Sequence, residues 1–181
     1  MIKCIIDSVR VSLTNQQRLV VLKDVERELF LPIWIGLYEA EAITIALQDI
    51  EIARPQTHDL MTALISALDG KLVHIEVSEM KDDVFYANLV IEQGGKLKSI
   101  DCRPSDAIAL AARTGVDILV NEEVMKLAAI EPGRDEESGG TDEDGEEVDK
   151  DDLDVFKDFL NTLDEKPGES DSTDNEPEAP K

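Results

Sequence analysis

Two short segments carry the side chains best suited to chemistry: Arg54-Pro55-Gln56-Thr57-His58-Asp59 and Arg103-Pro104-Ser105-Asp106. Each has an Arg-Pro pair, then a hydroxyl at the expected helix N-cap, then an aspartate in the first turn. Proline fixes the entry angle, and Thr57 or Ser105 would accept hydrogen bonds from free backbone amides. The remaining N–H groups and the helix dipole attract anions. Arg54 and Arg103, just outside each cap, can fork onto a phosphate through two parallel hydrogen bonds. The same hydroxyls and aspartates are what any well-made helix start uses, so by themselves they read as capping more often than as chemistry. The arginines and His58 tilt the balance toward a site.

Carboxylates stand near these segments in type, if not in sequence. Glu39 and Glu41 open a helix after Leu31-Pro32-Ile33-Trp34-Ile35-Gly36. They complement the helix dipole there, and Glu39 can also project into a cleft with Asp59, Asp101 and Asp106. Three or four carboxylates with a histidine suit a hard divalent cation, magnesium or manganese, and an activated water. On this reading His58, Asp59, Asp101 and Asp106 are the catalytic candidates, while Arg54, Thr57, Arg103 and Ser105 hold the substrate. Asp59, Asp106 and Glu39 are the metal ligands. His74, on an alternating strand, receives no role.

The elements that must position these residues follow from periodicity. Residues 2–13 alternate as a strand, with Ile2, Cys4 and Ile6 giving way to Val9, Val11 and Leu13, a change of face near Asp7-Ser8 that predicts a bulge. Arg18–Val25 and Leu29–Ile35 complete a three-stranded meander. Helices are expected over 37–50 and from Thr57 to Gly70. Strands follow at 71–80, 84–93 and 96–102, the last two joined by Gly94-Gly95, which favours a primed two-residue turn. Helices at 105–114, closed by Gly115, and 121–129 flank a short strand at Ile118–Val120. The order reads β3α2 twice, and Glu41-Ala42-Ile43 falls on Asp106-Ala107-Ile108 at an offset of 65 residues. The fold class is therefore α+β: a duplicated unit forming a mixed or antiparallel sheet, rolled toward a barrel, with packed helices. No Gly-x-Gly-x-x-Gly follows a strand and no Gly-Lys-Ser or Gly-Lys-Thr is present, which excludes the common nucleotide-binding loops.

Charge divides the chain. Residues 1–132 hold 13 Lys+Arg against 21 Asp+Glu, a net of −8; residues 133–181 hold 5 against 20, a net of −15. The second segment has too little apolar surface and too much like charge to collapse, and is expected to be an acidic, mostly disordered tail. Within it, Leu153, Phe156, Leu160 and Leu163 recur at helical spacing, predicting a short amphipathic helix over about 151–163 that docks on its own domain or its twin. The chain is read as a homo-oligomer, in its simplest form a dimer. The apolar start is too short for a signal peptide, and no stretch approaches the roughly 20 residues of a membrane helix. A cytoplasmic protein is expected, with Cys4 and Cys102 reduced.

Several of these segments together resemble the bifunctional nuclease domain family: Leu31-Pro-Ile-Trp-Ile-Gly, Glu39-Ala-Glu-Ala-Ile, Arg54-Pro-x-Thr-His-Asp-Leu, Phe85-Tyr-Ala and Ile100-Asp-Cys-Arg-Pro-Ser-Asp-Ala-Ile-Ala-Leu-Ala. The resemblance spans about 1–130; one departure is Cys102, where alanine is expected. Members of that family are described as cutting both DNA and RNA, so the resemblance implies a nuclease, with nucleic acid as partner. It does not itself assign catalytic residues. Against it stands the net negative charge, which repels phosphate unless Arg54, Arg103 and Arg113 form a local positive spot or a metal bridges the charges. The alternative is a noncatalytic regulatory module whose polar cleft binds an anionic ligand or a partner protein.

Overall fold

Alternating apolar residues draw the first third of the chain into strands β1 (Ile2–Val11), β2 (Arg18–Asp24) and β3 (Phe30–Ile35), paired antiparallel in sequence order. The computed structural model describes residues 1–11 and 17–131. The acidic tail and its amphipathic segment lie outside the described residues. Register slips between Ile6 and Ser8, so Asp7 is the bulge and the core-facing set passes from Cys4 and Ile6 to Val9, as the spacing predicts.

Helices α1 (Leu37–Leu47) and α2 (Thr57–Ala67) follow. A second antiparallel meander comprises β4 (Gly70–Lys81), β5 (Val84–Gln93) and β6 (Lys96–Cys102); then come α3 (Pro104–Thr114), β7 (Asp117–Val120) and α4 (Glu122–Ala128). Gly94 and Gly95 both take positive φ, 59° and 74°, which is the primed turn between β5 and β6. Gly115 closes α3 in the left-handed conformation, donating its amide to the Ala111 carbonyl at 2.8 Å.

The end of α2 differs from expectation. The helix stops at Ala67, and Asp69, not a glycine, takes the positive φ of 56°. Gly70 instead begins β4, where a Cβ would stand 3.0 Å from the Ile65 carbonyl oxygen. Close approach of helix and strand, not backbone handedness, requires glycine at that position.

The seven strands form one mixed sheet in the order β3-β2-β1-β7-β4-β5-β6. β7 is the seam: it runs antiparallel to β1 and parallel to β4. The sheet stays open instead of closing, with β3 and β6 as its edges. Pro32 suits the β3 edge because it has no amide to offer a further strand, and an isolated bridge from Phe30 to Ile130 covers the start of that edge. The two meanders extend outward from β7, but the helices do not repeat: α1 and α2 follow the first meander directly, whereas β7 separates α3 from α4. Among the described residues, no helix is long and apolar enough to cross a membrane.

α3 is the central helix. Ala107, Ile108, Ala109, Leu110 and Ala111 are all buried, and the helix packs against α1, α2, β4, β5 and β7. Ile108 and Leu110 have no exposed surface, and burying each such side chain contributes about 1.5–3 kcal/mol. The alanines between them keep this helix slim enough to sit under two others. The residues at its start are therefore held with little freedom to move.

Candidate active site

Local capping places the first polar side chains. The α2 N-cap is Gln56, not Thr57, and the α3 N-cap is Arg103, not Ser105. The two Arg-Pro segments thus differ in phase: Pro104 is the first residue of α3, whereas Pro55 precedes the α2 cap. Neither hydroxyl accepts from a helix amide as the sequence predicts. The α2 amide is met by Asp59, whose Oδ2 accepts from the Gln56 N–H at 2.7 Å, the reciprocal arm of a capping box. Ser105 is buried in the first turn of α3, and Thr57 stays exposed.

His58, second in α2, is buried and turned toward α3. Its Nε2 lies 3.3 Å from Asp106 Oδ1. Arg103 forks onto the same carboxylate, Nε to Oδ2 at 2.8 Å and Nη2 to Oδ1 at 3.0 Å, and its Nη1 donates to Glu39 Oε1 at 2.8 Å. Three elements far apart in sequence, the starts of α1, α2 and α3, so converge through one guanidinium and one carboxylate. Gly36 makes room for this: a Cβ there would collide with the Glu39 carboxylate, which folds back over the start of α1.

The group borders a cavity of about 480 Å³ lined by Tyr38, Glu39, Glu41, Thr57, His58, Arg103 and Asp106, among others. Arg54 and Asp59 line an adjoining cleft of about 440 Å³ with Ile50, Ile52 and Arg113. Asp101, on β6 opposite Asn88, and Ser105 line neither.

Arg113 is the residue whose importance the sequence did not disclose. Its side chain is 9% exposed. Nε donates to Asp59 Oδ1 at 2.8 Å and Nη2 to Gln56 Oε1 at 2.9 Å; Nη1 reaches the Ala42 and Ala109 carbonyls at 3.0 and 3.1 Å. It is therefore no part of an open positive spot. It fastens the cap of α2 and a carbonyl of α1 to α3. The available signal was a lone arginine ending an otherwise apolar helix, which equally suits a helix C-terminus.

Burial pushes the Asp106 carboxyl up, but the Arg103 fork and His58 outweigh it and hold the group below the ordinary carboxylate range. Asp59 is held low chiefly by the Gln56 amide, with Arg113 adding to it against burial. Asp24 is also low: its burial is overcome by the Glu26 amide and Arg27. The Arg103 guanidinium is raised well above its usual value by Asp106 and Glu39. Burial pushes the Cys102 thiol to about 11, with Asp106 and Asp101 adding to the shift, so it stays protonated and is no nucleophile at neutral pH.

These directions fix an acid response. A carboxyl lower in the folded than in the unfolded chain contributes stability that is complete above the unfolded value, about 3.9 for aspartate, and is lost as pH falls through the folded value. The melting temperature should accordingly fall steeply below about pH 4, and less steeply in an Asp106→Asn variant. Thermal melts from pH 7 to pH 3 check this; parallel curves for the two proteins would show that Asp106 has no part in the response.

The side chains named for a divalent ion do not converge. Glu39 and Asp106 share Arg103, while both oxygens of Asp59 are taken by Arg113 and the Gln56 amide. Among the described residues, no group of three or more His, Cys, Asp or Glu side chains could hold a metal ion. As placed, these donors do not fit magnesium or manganese, which need several free oxygens around one point.

An uncharacterized protein of Mycobacterium tuberculosis is 38% identical over 132 residues, covering 72% of this chain and 79% of the relative. A protein of Oryza sativa subsp. indica named Bifunctional nuclease 1 is 29% identical over 100 residues, 54% of this chain and 30% of that protein. One of the same name from Arabidopsis thaliana is 27% identical over 97 residues, 52% of this chain and again 30% of the relative. The family model described as Bifunctional nuclease domain matches residues 20–133, which takes in every side chain of the cavity and of the adjoining cleft, and the chain belongs to that family.

Proposed function

We propose that the protein is a nuclease that cleaves phosphodiester bonds of DNA and RNA at the His58–Asp106 cavity. The observation that carries this reading is the pairing of a buried histidine with a carboxylate at the mouth of a cavity that also presents an arginine. His58 takes the proton from the attacking oxygen, water on DNA or a 2′-hydroxyl on RNA, as the P–O bond to the leaving oxygen breaks and that oxygen takes up a proton from solvent water. Asp106 orients the imidazole. Arg103 stabilises the negative charge growing on the phosphoryl oxygens, exchanging its Glu39 contact for the substrate. Arg54 and Thr57 hold a flanking phosphate. Asp59 keeps α2 in place, and Asp101 and Ser105 take no part. We also propose that the protein is a cytoplasmic homo-oligomer; light scattering tests the oligomeric state.

The competing reading, a noncatalytic module, is favoured by one fact: Arg103 is already engaged by two carboxylates. Purified full-length chain incubated with labelled single-stranded DNA and RNA separates the two, with chelator and with added magnesium or manganese. Asp106→Asn is expected to lower cleavage of both substrates together, at least tenfold. Cleavage that ignores this substitution belongs to a contaminant and leaves the noncatalytic module standing.

A further inference from the structure

Tyr38 stands out among the cavity residues because the fold gives no reason for it. It is 79% exposed in the first turn of α1, at the rim of the His58–Asp106 cavity and next to Glu39, which holds Arg103. A large aromatic ring so open to water buries almost nothing in its own domain. The charges around it are the second observation. Glu39, Glu41 and Asp106 line the cavity against the single cation Arg103. A phosphate chain entering there meets more carboxylate than guanidinium, so attraction to the backbone cannot by itself supply the binding.

We infer that Tyr38 is the base-stacking residue of this site, and that its ligand is single-stranded nucleic acid. The inference rests on the nuclease reading. Stacking on an aromatic face needs no charge, and every base has such a face, so one tyrosine serves DNA and RNA alike. It also selects strandedness. A base inside a duplex is already stacked on its neighbours and must first be pulled out, at a cost that an unpaired base does not carry. The exposed face of Tyr38, beside the histidine and arginine, thus holds the nucleotide whose phosphate lies over His58.

The experiment uses the full chain and short phosphorothioate tetranucleotides, followed by fluorescence anisotropy. One tetramer carries bases and one is fully abasic, with the same number of phosphates; a duplex is the third probe. The wild type should bind the base-bearing tetramer about tenfold more tightly than the abasic one, with the duplex no better than the abasic chain. Tyr38→Leu should abolish that preference and Tyr38→Phe should keep it. At 79% exposure neither change disturbs packing. Equal binding of the base-bearing tetramer by Tyr38→Leu and wild type would overturn the stacking role while leaving the nuclease reading intact. A wild type that binds neither tetramer nor duplex would overturn both.

Discussion

His58→Gln should lower the turnover of RNA and DNA by about 10²–10⁴-fold, the range over which a positioned general base contributes, with far less change in KM. Among the described residues the imidazole has one close partner, Asp106 Oδ1 at 3.3 Å, and the ring borders the cavity. Glutamine keeps a polar group of similar reach but cannot cycle a proton near neutral pH. The fold should survive, because the residue that fixes the first turn of α2 is Asp59, through the Gln56 amide, and not His58. Steady-state kinetics and a melting curve on the same preparation check both halves of this expectation. Turnover within twofold of wild type would remove His58 from the chemistry.

Arg113→Met should produce the largest loss of stability of any single change to a polar residue of the site, about 3 kcal/mol, at the lower end of the range for removing one partner of a buried ion pair. The lower end applies because Asp59, the abandoned partner, is 41% exposed and water screens part of its charge. The Gln56 amide oxygen and the Ala42 carbonyl, on two other helices, also lose a donor. Arg113→Lys keeps the charge but not the planar fork, so it should recover only part of the loss. Urea unfolding of the three proteins measures this directly. A loss under about 1 kcal/mol for the methionine variant would mean that water replaces all four hydrogen bonds.

The elements were legible because their signals are local. The bulge at Asp7 shows as a change of alternation, the β5–β6 turn as Gly94-Gly95, and the end of α3 as Gly115, each needing only its immediate neighbours. Glu39, Asp59, Asp101 and Asp106 are expected in one cleft; the packing brings Glu39 and Asp106 to the cavity, where His58 faces Asp106, and leaves Asp59 and Asp101 outside it. The likeness between the two Arg-Pro segments is inexact, since one proline lies outside its helix and the other inside. Glutamine is a rare cap, and Arg103 caps α3 through its backbone alone, so both caps escaped a reading that looked for hydroxyls. Glu39 and Arg103 are 64 residues apart, and Asp59 and Arg113 are 54 apart. No periodicity links such pairs. Only the packing of α1 and α2 on α3 decides which arginine each carboxylate receives, and that separated Asp59 from the cavity it was expected to share.

β7 imposes an order on how this domain can be made. Each three-stranded meander is built from neighbours in sequence and can form early, but the two halves touch in the sheet only through four residues at positions 117–120. Ile2 on β1 pairs with Val120, a loop closure across almost the whole domain. During synthesis at about 5–20 residues per second, the first meander therefore waits several seconds with the inner edge of β1 uncovered. That edge is a template for any stray strand until β7 emerges. The bulge at Asp7, which twists β1, and the short span of three paired residues that β7 needs there limit what the wait exposes.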